Sequence, residues 1–313
     1  MAAPLHPAVH QALTLANQHL QRGDIAAAEQ ALTPLSILGL GVHPDVLNML
    51  GAIKVSQGRF EEAVSLLSQG RSAAPRDPFL ACNLGRALAG QGRTAEALDA
   101  FRTAIKLKPD FVEVRFDAAM LQHRTGALEE AENGFRQLLR VMPGQVHAKM
   151  ALGAVLVDAG RPQEAEAPLR RGLDETSDPH LKAQFYLHLS MALRRQRKDG
   201  EALAACDSAE ALDPALPGVA LHRAEALQNL GRYDEALAIM QELLARTPAD
   251  PRLHHLYNEL LYRLDRKDEF LKSYDRTPPS RPLSLGKAFF LTQEKRAAEA
   301  HAIYAEMLAR DPD

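Results

Sequence analysis

From Ala81 to Ile105 the chain sets apolar residues at Leu84, Ala87 and Leu88, stops at Gly92-Arg93, and resumes with Ala97, Leu98, Phe101, Ala104 and Ile105. Steps of three and four put each set on one face of a helix. The pattern predicts two amphipathic helices joined by a turn, with the glycine suited to a left-handed cap at the end of the first.

This pattern recurs. "GRFEEAVSLL" begins at Gly58, "GRTAEALDAF" at Gly92, "GALEEAENGF" at Gly126 and "GRPQEAEAPL" at Gly160, a step of 34 residues each time. "GRYDEALAIM" follows at Gly231, and "RKDGEALAAC" holds the place between after a short insertion near "TSDPH". A fixed period of this length marks stacked helical repeats. Pro75, Pro109, Pro143, Pro214, Pro248 and Pro312 are expected to end the second helices, because proline cannot continue one. Small residues recur where the first helix must approach its partner: Ala16, Gly51, Gly85, Ala119, Gly153, Ser190, Ala224 and Ala288. Alanine takes the matching place of the second helix at Ala28, Ala63, Ala97, Ala131, Ala165, Ala202, Ala236 and Ala300.

A small residue at the eighth place, glycine near the fifteenth, alanine at the twentieth and proline at the thirty-second resemble the tetratricopeptide repeat family. The resemblance implies an all-α fold, a right-handed superhelical solenoid of antiparallel helix pairs whose first helices line a concave groove. One array over residues 1–313 is expected, with about nine units starting near Val9, Pro44, Pro78, Val112, Val146, Ala183, Pro217, Pro251 and Arg281. The unit over 251–280 is irregular. Asn258 stands where a small residue belongs, Phe270 stands for alanine, and "DRTPPSRP" cuts the second helix short. Pro34 and Pro168 fall inside second-helix patterns and predict a kink or an early end. After Asp313 there is no polar capping helix of the kind that solenoids use for solubility, which leads to the expectation of a cut edge. The segment from Leu256 onward also resembles the repeat region of bacterial proteins that continue into a 2-oxoglutarate/iron(II) oxygenase-like domain, and implies such a domain beyond 313.

Composition narrows the functions. A net charge of −3 gives no global attraction to nucleic acid or to an acidic membrane. Aromatic residues make up 5% and tryptophan is absent, which argues against stacking platforms for single strands. No apolar run is long enough for a membrane span. "MAAPLHPAVH" lacks the features of a signal peptide, and two cysteines build no disulfide framework, so a cytoplasmic protein is expected.

Candidate chemistry is sparse. Neither a metalloprotease helix motif nor a serine nucleophile elbow occurs, so no catalytic residue, cofactor or metal site is expected. "HPD" at His43–Asp45 has the form of an iron ligand pair, but Pro44 and Asp45 suit the start of a helix. His254 and His255 are adjacent and diverge by about 100° on a helix, so they cannot chelate together. Cys206 falls at a packing position, and Cys82 at a place that faces the groove.

In the resembled family the second, fifth, ninth, twelfth and thirteenth places of each first helix face the concave side. Carried over, these give Phe79, Cys82, Arg86, Phe116, Met120, Arg124 and Met150, then Leu187, Met191, Arg194 and Arg195. The methionines form an adaptable apolar stripe, and four arginines flank it. That combination suits a peptide or protein partner with apolar anchors and some acidic character. Asn48 and Asn83 do not extend into the basic clamp of chaperone-binding relatives, because Glu113 and Asp117 occupy the next places.

The leading expectation is therefore a protein-interaction scaffold that does no chemistry. Two alternatives are a substrate-recruiting arm of a longer modifying enzyme and a module that dimerises through Ile303, Tyr304, Met307 and Leu308.

Overall fold

The computed structural model describes residues 6–266, 269–275 and 280–310. Among these residues the fold is all-α, with eighteen helices and no strand. The chain packs as two compact units, Met1–Val155 and Leu156–Asp313.

The first unit holds α1 (Pro7–Gln21), α2 (Ile25–Ile37), α3 (Pro44–Ser56), α4 (Phe60–Ala73), α5 (Pro78–Gly90), α6 (Thr94–Leu107), α7 (Val112–Arg124) and α8 (Leu128–Val141). α9 (Val146–Asp158) runs across the boundary between the units. The second unit holds α10 (Pro162–Glu175), α11 (Pro179–Arg195), α12 (Asp199–Leu212), α13 (Val219–Asn229), α14 (Tyr233–Arg246), α15 (Pro251–Arg263), α16 (Lys272–Asp275), α17 (Arg281–Gln293) and α18 (Ala297–Arg310).

Local chemistry sets these boundaries. α5 starts with proline at its first position and Asp77 as its cap, whose Oδ1 accepts from the N–H of Phe79 at 2.7 Å. It ends at Gly90, and the turn that follows passes through Gly92, which takes φ +76°. The Gly92 N–H then donates to the Ala89 carbonyl and the Arg93 N–H to that of Leu88. The same turn closes at Arg197, Asp265 and Lys295, which are not glycine yet hold φ between 54° and 64°. α4, α6, α8, α12 and α14 each stop two residues before a proline, since the residue preceding proline disfavours the helical region. Pro312 lies outside the described residues.

Packing follows from the small residues. A side chain at Gly85 would put its Cβ 2.5 Å from the ring of Phe101, which is itself 1% exposed. The absence of a Cβ lets α5 and α6 close on that ring, whose burial contributes roughly 2–3 kcal/mol. Ala63, Ala97, Ala131, Ala165 and Ala236 are fully buried at the matching places of the second helices.

Several expectations are corrected. α2 continues past Pro34 and α10 past Pro168, so neither proline ends its helix. Each removes a single backbone rung, and the rungs on either side carry the helix through. The insertion near "TSDPH" lengthens a helix. α11 begins at Pro179, ahead of Ala183, because Asp178 caps it through the N–H of His180 at 2.9 Å. α13 begins at Val219, after Gly218 at φ 91°. α16 has four residues, and it ends before Arg276–Pro279, which lie outside the described residues.

Candidate functional site

In the first unit α3, α5 and α7 lie side by side. A chain of polar contacts crosses them: Asn83 Nδ2 donates to Asn48 Oδ1 at 2.8 Å, Arg86 Nη1 to Asn83 Oδ1 at 3.4 Å, and Arg86 Nε to Asp117 Oδ2 at 2.6 Å. Arg86 was expected to offer a free charge. Its guanidinium is instead committed to Asp117 on the next first helix, so the acidic residue that breaks the basic clamp also neutralises the arginine.

Apolar groups flank this chain. Phe79 is 48% exposed, packs edge-on against Phe111 at 5.1 Å, and carries Lys108 Nζ 5.0 Å above its ring. Phe116 is half-buried and meets Phe135 edge-on at 5.6 Å. Met120 and Met150 are half-buried, and Arg124 is exposed with no ion pair among the described residues. Cys82 does not face a groove. It is 2% exposed within the core of the first unit. Burial pushes its thiol up to about 11, with Asp117 and Glu113 adding and Arg86 opposing. A protonated buried thiol is neither a nucleophile nor a contact surface.

In the second unit Leu187 and Met191 are half-buried on α11, and Arg195 is exposed without an ion pair among the described residues. Arg194 is committed, like Arg86: its Nη2 lies 2.9 Å from Glu225 Oε2. Cys206 is fully buried, and burial raises its thiol. His43 caps α3, its Nδ1 accepting from the Asp45 N–H at 3.3 Å, which accounts for "HPD" as a helix start. His254 is buried and stacks on Tyr274, while His255 is exposed and faces Phe289. Among the described residues no group of three or more His, Cys, Asp or Glu could hold a metal ion. No helix among them is long and apolar enough to cross a membrane.

Sequence reasoning missed Leu285 and Phe289 on α17, exposed by 45% and 47%, and Tyr262 on α15, exposed by 52%. Leu285, Phe289 and Tyr262 hold the fifth, ninth and twelfth places of their units, the places of Leu187, Met191 and Arg194. Applying the groove places to the last two units would have found them.

Tetratricopeptide repeat family models match residues 13–78, 82–140 and 131–180 with one model and 194–260 with another, more than half of the chain. The chain belongs to the tetratricopeptide repeat family. Among curated proteins, this repeat chain is 30% identical over 90 residues to the peroxisomal targeting signal receptor of Candida glabrata, covering 29% of this chain and 15% of the receptor. It is 30% identical over 109 residues to a Hsp70-Hsp90 organising protein of Plasmodium falciparum, covering 35% of this chain and 43% of that protein. It thus spans less than half the length of either relative. Among solved structures, a tetratricopeptide repeat protein from Parabacteroides merdae superposes with a TM-score of 0.63 at 16% identity, over 82% of this chain and all of the other. PilF of Pseudomonas aeruginosa gives 0.58 at 16% identity, over 70% of this chain and 97% of the other. At such identities these two show a shared fold. They match the all-α tetratricopeptide solenoid.

Proposed function

We propose that this chain is a protein-interaction scaffold, and that the face built by α3, α5 and α7 holds a peptide or protein partner. The carrying observation is the exposed ring of Phe79 beside a polar chain whose members already bond one another. Exposed aromatic surface next to satisfied polar groups is the composition of a binding face. The names of two relatives, a targeting signal receptor and an organising protein for Hsp70 and Hsp90, support a protein ligand. Phe79, Phe116 and Met120 supply the apolar anchors, joined by Met150 of the next first helix, α9. With Arg86 engaged internally, an acidic group on the partner pairs with Arg124. The chain performs no chemistry of its own.

The test starts from random peptides displayed on phage and selected against the whole chain. Selected peptides should share apolar anchors with a nearby acidic residue, and Met120→Glu with Met150→Glu should abolish their binding while the far-ultraviolet circular dichroism stays unchanged. Peptides that bind the double variant as tightly as the parent place the site elsewhere.

A second reading, self-association, is favoured by α18, where Leu308 is 64% exposed and Tyr304 39%, with Ile303 and Met307 half-buried beside them. It requires a dimer in light scattering that Leu308→Glu disperses. A monomer at high concentration excludes it.

A further inference from the structure

In the second unit α10, α12, α14 and α18 each run fourteen residues, whereas α16 has four. Where a full second helix would lie, a cavity of about 450 Å³ opens between α14, α15 and the segment from Glu269 to Ser273. That volume falls within the range of small-molecule sites.

One wall is apolar, made by Leu244 and Ala245 of α14, by Pro248, and by Tyr257 of α15. The opposite rim is fixed in place. Asn258 is fully buried, its Nδ2 donates to Ser273 Oγ at 2.7 Å, and its Oδ1 accepts from the Leu271 N–H at 2.7 Å. These bonds hold the short segment open and stop it from collapsing onto α14. They also account for Asn258, an oversized residue at the place of a small one.

The rim carries one uncompensated charge. Glu269 is engaged by Arg266, but Lys272 is exposed and has no carboxylate partner among the described residues. Beside it, the Ser273 hydroxyl accepts from Asn258 and keeps its own hydrogen to donate. A cation and a hydroxyl donor at the mouth of an apolar recess match an amphiphilic anion.

We propose that this cavity binds a small organic carboxylate, with its apolar body against Leu244, Ala245 and Tyr257 and its carboxylate on Lys272 and Ser273. The site is separate from the α3, α5 and α7 face and does not depend on it.

Calorimetric titration of the whole chain with 4-phenylbutyrate and with its uncharged amide tests this. The acid should bind saturably with one site and at least tenfold more tightly than the amide. Lys272→Met should reduce the acid to the level of the amide. Ala245→Trp, which fills the recess from its exposed edge, should remove both. The proposal is overturned if acid and amide bind alike, if Lys272→Met leaves the acid unaffected, or if no saturable binding occurs up to millimolar acid. Lys272 is exposed, so its variant decides the matter even if Ala245→Trp disturbs the fold.

Discussion

Arg194 Nη2 lies 2.9 Å from Glu225 Oε2 and ties the end of α11 to the middle of α13. The other oxygen of Glu225 takes Arg252 Nη2 from α15 at 2.7 Å, and His222 Nδ1 adds a third contact at 2.9 Å. Three successive first helices therefore meet on one carboxylate that is only 9% exposed. Burial pushes this carboxyl up. The His222 hydrogen bond and the Arg194 charge, joined by Arg252, pull harder and leave it at about 2.

That value fixes a pH dependence. The folded carboxyl binds its proton less readily than the unfolded one, whose pKa is about 4.3. Its contribution is complete above the unfolded value and is lost as pH falls through about 2. Unfolding free energy should therefore decline between about pH 5 and pH 2, and Glu225→Gln should cost on the order of 2 kcal/mol at pH 7. Urea unfolding of parent and variant at pH 7, 4 and 3 checks this. The gap between the two should narrow with acid, and a constant gap would refute the linkage.

Tyr274 leads to a stabilising change. Its ring stacks on His254 with centroids 4.9 Å apart, and its hydroxyl is buried without a hydrogen-bond partner. An unsatisfied buried hydroxyl carries a desolvation cost of about 1–3 kcal/mol. Tyr274→Phe keeps the stacking and removes the hydroxyl, so stability should rise by about 1 kcal/mol. A lower midpoint in thermal unfolding would mean that the hydroxyl has a role the contacts do not show.

The left-handed turn positions give another. Arg197 at φ 64° and Lys295 at φ 59° occupy the place that Gly58, Gly92 and Gly126 fill elsewhere. A side chain there costs roughly 1 kcal/mol or more against glycine. The only ion pair of Arg197 among the described residues, to Asp199 at 4.0 Å, is solvent-exposed on the arginine side and offsets little. Arg197→Gly and Lys295→Gly should each stabilise by about 0.5–1 kcal/mol after the entropy of the added glycine is counted. Chemical unfolding of the two single variants measures it.

Much of the fold was legible because the repeat states each rule many times. The turn glycines, the prolines after second helices and the paired small residues each reflect a backbone or packing demand, and repetition separates such demands from chance. What was not legible depends on partners far apart in sequence. Arg86 and Arg194 look like free cations on their own helices. Only stacking brings Asp117 and Glu225 beside them, about thirty residues on. Cys82 shows the limit of carrying over places. Its position in the repeat points outward in the family pattern, yet here the neighbouring helices cover it. The cavity beside α16 was signalled by Asn258 and Phe270, but as irregularity alone. Its charge balance needed the rim bonds.

The approach of Gly85 to Phe101 can be tested as a coupled pair. A Cβ at position 85 meets ring carbons at 2.5 and 2.6 Å, and the ring is 1% exposed. Gly85→Ala gains about 1 kcal/mol of helix propensity, but overpacking costs about 1–3 kcal/mol, so the single change should destabilise. Phe101→Ala alone leaves a void and should also destabilise. Together they should do better than their sum, because truncation to alanine removes the ring carbons that the new methyl would meet. In the Phe101→Ala background Gly85→Ala should be neutral or stabilising, since only the propensity gain remains. A double-mutant cycle by urea unfolding reads the coupling directly. Strict additivity would mean that α5 and α6 shift apart to admit the methyl, and that close approach at this pair is not what makes glycine necessary.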